Sequence, residues 1–198
     1  MSLTGAPPTL GIPRALAERT ERLTRDVDDD RRVAQTFAAH FEFVWRSLRR
    51  FGVPEATADD AAQHVFLTFS ARLGDVEPGR ERAFLVAVSA RVAANVRRQL
   101  ERSREVASDE LDDAVADAET PEELLVERAR RRELDRALAW LPFDQRAVFV
   151  LFELEGFTLP EIAEGLEIPL GTATSRLRRA RDRFESFVAE RAREVTRD

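Results

Sequence analysis

Apolar residues recur at spacings of three and four along most of the chain, which is the period of an amphipathic helix. The first stripe of this kind predicts a helix that ends at Phe51-Gly52-Val53-Pro54. Its inward residues are expected to be Val33, Phe37, Phe41, Val44, Trp45 and Leu48. Residues 1–30, which precede it, contain three prolines and show no sustained periodicity. We interpret them as a mobile N-terminal extension, helical in part.

Two further helices are predicted in the first half of the chain. One runs from Thr57, as its N-cap, to about Leu73. Its inward residues are expected to be Ala61, Ala62, Val65, Phe66 and Phe69. The other runs from Ala83 to about Arg104, after a loop at 74–82 that contains a proline and two glycines. Its apolar stripe consists of Phe84, Leu85, Val88, Val92, Val96 and Leu100.

An acidic segment separates these helices from a second helical group. Residues 106–120 are rich in Asp, Ala and Ser and predict a flexible linker. A helix is then expected from Thr120-Pro121 to Trp140, and another from Phe143 to Leu154. No stretch alternates apolar and polar residues as a strand does. We therefore predict an all-α protein of two small helical domains, 31–105 and 121–198, joined by the acidic linker.

The most informative pattern lies between Gly156 and Phe187. Thr158 and Glu161 form a capping-box pair that opens a short helix. A tight turn at 165–169 follows, and a longer, Arg-rich helix begins near Leu170 or Thr172. Two helices joined in this way match a helix-turn-helix, whose second helix enters the major groove of DNA.

The second helix of this motif has an apolar face and a polar face. The apolar face consists of Leu170, Ala173, Leu177, Ala180, Phe184 and Phe187. The polar face carries hydroxyls and guanidiniums and no acid before Asp182, a chemistry suited to phosphates and base edges. Its candidate DNA-binding residues are Thr172, Thr174, Ser175, Arg176, Arg178 and Arg179. A merely solvated arginine face is the alternative, which the capped helix and the turn disfavour.

The charge of the chain is unevenly distributed. The net charge of -6 taken alone argues against a polyanionic partner. Ten acidic residues and no basic one lie between Glu105 and Glu127, however, which leaves 27 acidic and 31 basic residues elsewhere. We hypothesise that the acidic linker keeps the free protein off nonspecific DNA by competing for its basic faces. The acids concerned include Asp109, Glu110, Asp112 and Asp113.

Several classes of protein are excluded or disfavoured. The absence of cysteine excludes disulfide scaffolds and cysteine-based metal sites or nucleophiles. No apolar run approaches the roughly 20 residues of a membrane span, and residues 1–20 lack the features of a signal peptide, so we expect a cytoplasmic protein. Asp60 and His64 share a helix face but have no third ligand, so neither a metal nor another cofactor is predicted. No catalytic motif is present, and we expect no enzymatic activity.

Residues Leu141 to Arg183 resemble region four of bacterial RNA polymerase sigma factors of the sigma-70 family, extracytoplasmic-function group. In that family the module binds the minus-35 promoter element and the flap of the polymerase β subunit. Val33 to Arg104 resembles region two of the same family. Asp59 to Phe69 stands where the family carries its polymerase-clamp-binding helix, and Phe84 to Arg98 where it carries the helix that melts and reads the minus-10 element.

The resemblance implies further site residues and partners. Contacts to the β′ clamp of core polymerase would come from Asp59, Asp60 and Gln63. Contacts to the minus-10 element would come from the loop at 74–82 and from Arg91, Asn95, Arg97 and Arg98. An exposed polar helix face is the alternative interpretation of the latter set. Many members of the family are held by an anti-sigma factor, so such a partner is expected here.

We therefore expect a sigma factor that binds core polymerase and recognises a two-part promoter. One rival is a helix-turn-helix regulator that binds DNA alone, with residues 33–104 as a sensing or dimerisation domain. Another is an all-α enzyme with an incidental helix-turn-helix. In vitro transcription with core polymerase distinguishes the first from the other two.

Overall fold

A computed structural model describes the backbone of residues 14–106 and 122–195 and the side chains of residues 27–103 and 130–194. Over these ranges the protein is helical and contains no strand, in agreement with the predicted all-α fold. The helices are α1 (Arg14–Arg50), α2 (Glu55–Ala71), α3 (Glu81–Val106), α4 (Glu122–Ala139), α5 (Phe143–Phe149), α6 (Leu159–Gly165) and α7 (Leu170–Val195). A short 3₁₀ turn, Leu73–Asp75, precedes α3.

Helices α1, α2 and α3 pack against one another and form the N-terminal bundle. Its largest fully buried side chains are Val44, Leu48, Phe51, Val53, Val65, Phe69 and Leu85. All five predicted inward residues of α2 are buried. The predicted inward face of α1 is partly wrong: Phe37 is 45% exposed, while Thr36, Phe43 and Ser47 are buried. The buried stripe is rotated relative to the predicted one because α1 packs on both α2 and α3. The periodicity of one helix does not show how many neighbours that helix has.

The ends of the first helices differ from the predictions. Pro54, rather than Thr57, is the N-cap of α2, and the Thr57 hydroxyl donates to the Pro54 carbonyl at 3.3 Å inside the first turn. Helix α1 extends back to Arg14, so the boundary predicted at residue 31 falls inside a continuous helix. Leu100, predicted inward on α3, is 37% exposed. It lies in the last turns of α3, among residues that are mostly exposed.

Helices α4 to α7 form the C-terminal bundle, in which α7 packs against α4, α5 and α6. The helix predicted from Phe143 to Leu154 is present, but its second half, Val150–Leu154, is a wider π-helical turn. The Glu155 amide accordingly donates to the Val150 carbonyl, five residues back, at 3.0 Å. Helix α4 begins at Glu122; the predicted cap at Thr120-Pro121 and the acidic linker lie outside the described residues, apart from Val106 at the end of α3.

Two further observations concern the described part of the chain only. None of its helices is both long and apolar enough to cross a bilayer. The two bundles contact each other, chiefly through α3 and α6. A buried apolar cluster extends through both of them.

Candidate nucleic-acid interface

The helix-turn-helix begins with a complete capping box. The Glu161 amide donates to the Thr158 hydroxyl at 3.5 Å, and the Thr158 amide donates to a Glu161 carboxylate oxygen at 2.8 Å. These bonds satisfy amides that the first turn of a helix leaves without partners. Hydrogen bonds from the Thr158 backbone and side chain lower the pKa of Glu161 from its ordinary value of 4.5. The predicted cap of α6 is therefore confirmed.

The turn between α6 and α7 is a Schellman motif. Ile168 donates its amide to the Ala163 carbonyl at 3.0 Å, and Glu167 donates to the Glu164 carbonyl at 3.1 Å. The sequence predicts this turn at 165–169, but its left-handed residue is Glu167, with φ +54°, and not a glycine. Gly165 instead lies where α6 closely approaches α3. A Cβ placed on it would lie 3.6 Å from the Cβ of Ala87.

The apolar face predicted for α7 is largely present. Ala173, Leu177 and Ala180 are buried, and two phenylalanines further along are half-buried. Leu170 is the exception, since it is 50% exposed. It stands in the first turn next to Gly171, where a Cβ would meet nothing within 4 Å. The start of α7 therefore projects clear of the other helices.

This projecting end carries a shallow groove. The groove has a volume of about 490 Å³ and is lined by Leu170, Gly171, Thr174, Ser175 and Arg178. Sequence reasoning did not include Gly171 in the site, although a glycine at a helix start allows the backbone to approach a ligand closely. None of the described residues that line this groove is acidic.

The six candidate residues for major-groove contacts divide into two sets. Thr174, Arg178 and Arg179 are exposed, whereas Thr172, Ser175 and Arg176 are half-buried. Arg179 donates to the Ser175 hydroxyl and to the Ser175 carbonyl, each at 3.2 Å. These bonds hold a guanidinium and a hydroxyl together one turn apart, a pairing that suits a phosphate or a base edge.

Arg176 is placed differently from the other arginines of this set. Its Nε lies 3.1 Å from a carboxylate oxygen of Asp144 on α5, and its side chain is only 26% exposed. The ion pair ties α7 to α5. Residue spacing within α7 gives no sign of this contact, because its partner lies 32 residues earlier in the chain.

The four candidate minus-10 residues of α3 are already engaged with protein groups. Arg91 forms an ion pair with Glu167 of the helix-turn-helix turn. Arg98 donates to the Asn95 side chain. Arg97 pairs with Glu101 at 2.6 Å, and its guanidinium lies 5.9 Å from the centre of the Phe143 ring on α5. Two of the four therefore contact the C-terminal bundle.

The candidate clamp-binding residues lie on one exposed stretch of α2. Asp59, Asp60 and Gln63 are all exposed. Asp59 accepts a hydrogen bond from the Trp45 indole N–H at 2.9 Å, which orients its carboxylate. Phe66 and Phe69 point into the core, as the sequence predicts.

The described residues contain no group of three side chains suited to holding a metal ion. His64 is exposed and His40 is half-buried, and neither belongs to such a cluster.

Known proteins match this chain across both bundles. The family model described as Sigma-70, region 4 matches residues 131–184. The ECF RNA polymerase sigma factor SigE of Mycolicibacterium smegmatis is 27% identical over 157 residues, which make up 79% of this chain and 61% of SigE. The RNA polymerase sigma factor CnrH of Cupriavidus metallidurans is 29% identical over 172 residues, covering 81% of this chain and 88% of CnrH.

Two solved structures share the fold. CnrH in complex with the cytosolic domain of CnrY has a TM-score of 0.60 and 24% identity, over 81% of this chain and 90% of CnrH. The sigma factor RpoE in complex with the anti-sigma factor NepR, from Bartonella quintana, has a TM-score of 0.64 and 20% identity, over 79% of this chain and 96% of RpoE. The match to Sigma-70, region 4 and the sequence relatives that span both bundles place the chain in the sigma-70 family, in the extracytoplasmic-function group.

Proposed function

We propose that this protein is a non-catalytic subunit of bacterial RNA polymerase that directs promoter-specific initiation of transcription. The observation that carries the proposal is the exposed start of α7, where an acid-free groove lies beside two exposed arginines, within the segment that matches Sigma-70, region 4. The stand-alone regulator is not favoured, because the sequence matches span both bundles.

In this proposal the start of α7 recognises the minus-35 element. Arg178 and Arg179 bind phosphates or guanine edges, and the hydroxyls of Thr172, Thr174 and Ser175 bind neighbouring polar groups. Gly171 allows the helix backbone to approach the DNA closely, since no side chain intervenes. Arg176 contributes through its ion pair with Asp144, which fixes the orientation of α7.

The N-terminal bundle supplies the other contacts. The exposed groups of α2, which are Asp59, Asp60 and Gln63, bind basic residues of the polymerase β′ clamp. The minus-10 element is held by Arg91, Asn95, Arg97 and Arg98 of α3 and by the segment at 74–82, which combine positive charge with nearby aromatic surface. The C-terminal bundle also binds the β flap, as expected of region four.

A regulatory partner belongs to the same proposal. The structurally similar RpoE was solved with an anti-sigma factor bound, and we expect this protein to have an anti-sigma factor or another regulator. Because its proposed partners are promoter DNA and core polymerase, we place its action in the bacterial cytoplasm.

The test is in vitro transcription from a genomic promoter library with core polymerase and the purified protein. We expect promoter-dependent transcripts that core polymerase alone does not produce. The Arg178→Ala/Arg179→Ala double variant should lose most of them, because both guanidiniums are exposed at the groove end of α7.

Arg193→Ala is the matched control, since it removes an exposed arginine from the far end of the same helix. It should leave transcription unchanged. If no transcript depends on the protein while the protein alone protects specific DNA from cleavage, the stand-alone regulator is correct and the sigma factor proposal is wrong.

A further inference from the structure

The groove at the start of α7 combines an exposed apolar corner with an arginine. Leu170, Gly171 and Thr174 form the apolar corner, which we call the methyl site, and Ser175 and Arg178 complete the groove. We propose that the methyl site reads the C5-methyl group of a thymine in the minus-35 element, which makes Leu170 and Thr174 specificity-determining residues. The proposal rests on the function proposed above, because it assumes that α7 enters the major groove of promoter DNA.

Leu170 differs from the other apolar residues in the first half of α7. Ala173, Leu177 and Ala180 are buried against the rest of the C-terminal bundle, whereas Leu170 is 50% exposed. It lies in the first turn of the helix, and the first turns of a recognition helix are the part that contacts base edges. The described part of the chain therefore leaves half of this side chain available to a ligand.

Thr174 adds a methyl group beside this leucine. It lies four residues after Leu170, so the two side chains are neighbours on the helix surface. The Thr174 hydroxyl donates to the Leu170 carbonyl at 2.9 Å, which uses its hydrogen and restrains the side-chain rotamer. The hydroxyl oxygen keeps lone pairs with which it accepts a hydrogen bond, while the γ-methyl group extends the apolar surface of Leu170.

The other hydroxyl of the groove is also engaged within α7. Ser175 donates to the Thr172 carbonyl at 3.0 Å and accepts from Arg179 at 3.2 Å. Neither hydroxyl that lines the groove therefore has a hydrogen to offer to a base. Arg178 does, because its guanidinium forms no hydrogen bond or ion pair with the described residues.

These groups match the major-groove edge of thymine better than the edges of the other bases. Thymine presents a C5-methyl group and the O4 acceptor, which suit an apolar corner and an arginine. Adenine and cytosine present amino donors, and guanine presents acceptors without a methyl group. No carboxylate of the described chain lines the groove to accept from an amino group. The groove thus favours thymine at the methyl site, with Arg178 beside it to contact O4 or a neighbouring guanine.

Gly171 opens the space that a thymine needs. A Cβ at this position would meet nothing within 4 Å, and the residue is helical without a positive φ, so the described fold does not require a glycine here. Glycine also destabilises a helix relative to alanine. The missing side chain instead leaves the groove open between Leu170 and Ser175, where a base edge can approach the helix closely.

The test removes the thymine methyl group without removing a hydrogen-bonding group. The full-length protein with core polymerase first selects its minus-35 element from a duplex library that is randomised over that segment. Each thymine of the selected element, on either strand, is then replaced by deoxyuridine, which lacks only the C5-methyl group. We expect at least one replacement to weaken binding by about two- to fivefold in fluorescence anisotropy, because one methyl contact is lost.

Two results of this first experiment would overturn the proposal. One is that no deoxyuridine replacement weakens binding. The other is that the selected element contains no thymine on either strand.

A pair of variants then assigns the methyl contact to Thr174. Thr174→Ser removes the γ-methyl group and keeps the hydroxyl, so it should lower the ratio of thymine to uracil affinity by about twofold. Thr174→Val keeps the γ-methyl group and removes the hydroxyl, and it should preserve the ratio. A ratio that Thr174→Ser leaves unchanged means that the losses from the protein methyl and the DNA methyl are additive, which contradicts the contact.

A second pair of variants tests Leu170. Leu170→Ala should lower the same affinity ratio by about twofold, since it removes the larger apolar group of the methyl site. Val188→Ala is the matched control, because it truncates an exposed apolar residue at the far end of α7 and should leave the ratio unchanged. Circular dichroism checks that both variants are folded. Equal ratios in Leu170→Ala and Val188→Ala would remove Leu170 from the methyl site.

Transcription separates this proposal from the function on which it rests. Promoter-dependent transcription, combined with equal binding of every deoxyuridine duplex and its thymine parent, contradicts only the methyl site. Absence of promoter-dependent transcripts from the unmodified library contradicts the sigma factor function, and with it the assumption that α7 reads a promoter.

Discussion

The two arginine-rich helices, α3 and α7, differ in whether the arginines of their proposed DNA-binding faces contact the other bundle. On α3, Arg91 and Arg97 reach side chains of the C-terminal bundle. On α7, Arg178 is exposed beside the groove, and Arg179 bonds only to Ser175 of its own helix among the contacts described. The comparison teaches that an arginine-rich face becomes an available binding surface only where the rest of the fold leaves it uncovered.

The largest expected effect tests whether the two bundles unfold together. Leu177 is 4% exposed in the C-terminal bundle, and Leu177→Ala should lower the free energy of unfolding by about 2–5 kcal/mol through the cavity it leaves. Trp45 and Trp140, the two tryptophans of the chain, lie in different bundles and report on each one by fluorescence. Urea unfolding in a Trp45→Phe background follows the fluorescence of Trp140 and so the C-terminal bundle. The Trp140→Phe background follows Trp45 and so the N-terminal bundle.

If the buried apolar contacts between the bundles couple their unfolding, Leu177→Ala shifts both fluorescence transitions to lower urea concentration. Leu85→Ala, which empties a fully buried site in the N-terminal bundle, is the matched variant and should also shift both. Transitions that move only in the mutated bundle would show that the two bundles unfold independently.

The next prediction separates DNA binding from stabilisation among the arginines of α7. Arg179→Ala should weaken binding to minus-35 promoter DNA by about 1–3 kcal/mol if its guanidinium contacts a base. Arg176→Ala should act mainly on stability, because its side chain pairs with Asp144. Fluorescence anisotropy with duplex DNA at moderate salt, together with urea unfolding, separates the two effects. Unchanged promoter binding by Arg179→Ala would remove that residue from the interface.

The capping box predicts a smaller effect that is confined to the C-terminal bundle. Thr158→Ala should destabilise the protein by about 1 kcal/mol at pH 7, since the Glu161 amide loses its acceptor. Urea unfolding followed by circular dichroism measures the change. Thr68→Ala is a suitable control, because its hydroxyl donates within α2 and caps no helix start.

The ionisation of Glu161 adds a pH dependence. Hydrogen bonds from Thr158 hold the pKa of the folded protein's Glu161 below 4.5, so the folded state favours the carboxylate. Its stabilising contribution is complete well above pH 4.5 and disappears as the pH falls through the lowered pKa. As the pH falls through that range, the free energy of unfolding of a Glu161→Ala variant should therefore decrease less than that of the wild type. Identical pH profiles for the two proteins would contradict this role of Glu161.

The smallest expected effect concerns the acidic linker, which lies outside the described residues. The quadruple variant replaces Asp109, Glu110, Asp112 and Asp113 by their amides. It should strengthen nonspecific DNA binding severalfold at low salt if the linker competes for the basic faces. Electrophoretic mobility shifts with random-sequence duplex DNA measure this, and an unchanged affinity would contradict the hypothesis.

Local sequence patterns predicted the parts of the site that depend on neighbouring residues. The Thr158–Glu161 cap and the buried Ala173 and Leu177 follow from spacings of three and four, and the turn before α7 follows from the segment between Gly165 and Pro169. Contacts between distant residues did not follow from the sequence. The pairing of Arg176 with Asp144 and the engagement of Arg91 by Glu167 join residues 32 and 76 positions apart.

The inward face of α1 illustrates the same limit. Periodicity alone selected Phe37, which is exposed and whose ring is tilted by 60° against that of Phe66, with ring centres 4.8 Å apart. The buried Thr36 and Ser47 carry no apolar signal. Their burial follows from the simultaneous packing of α1 on two other helices.

By itself the sequence determined that the protein is helical, that it carries a capped helix-turn-helix and that it belongs with the sigma factors of the extracytoplasmic-function group. Each of these depends on local spacing or on motif similarity. Only the tertiary structure decided which arginines remain available and which meet carboxylates such as Glu155 and Glu167 across the bundles. The physical reason is that pairing of a charge depends on distance in space, whereas residue spacing specifies neighbours only within one helix.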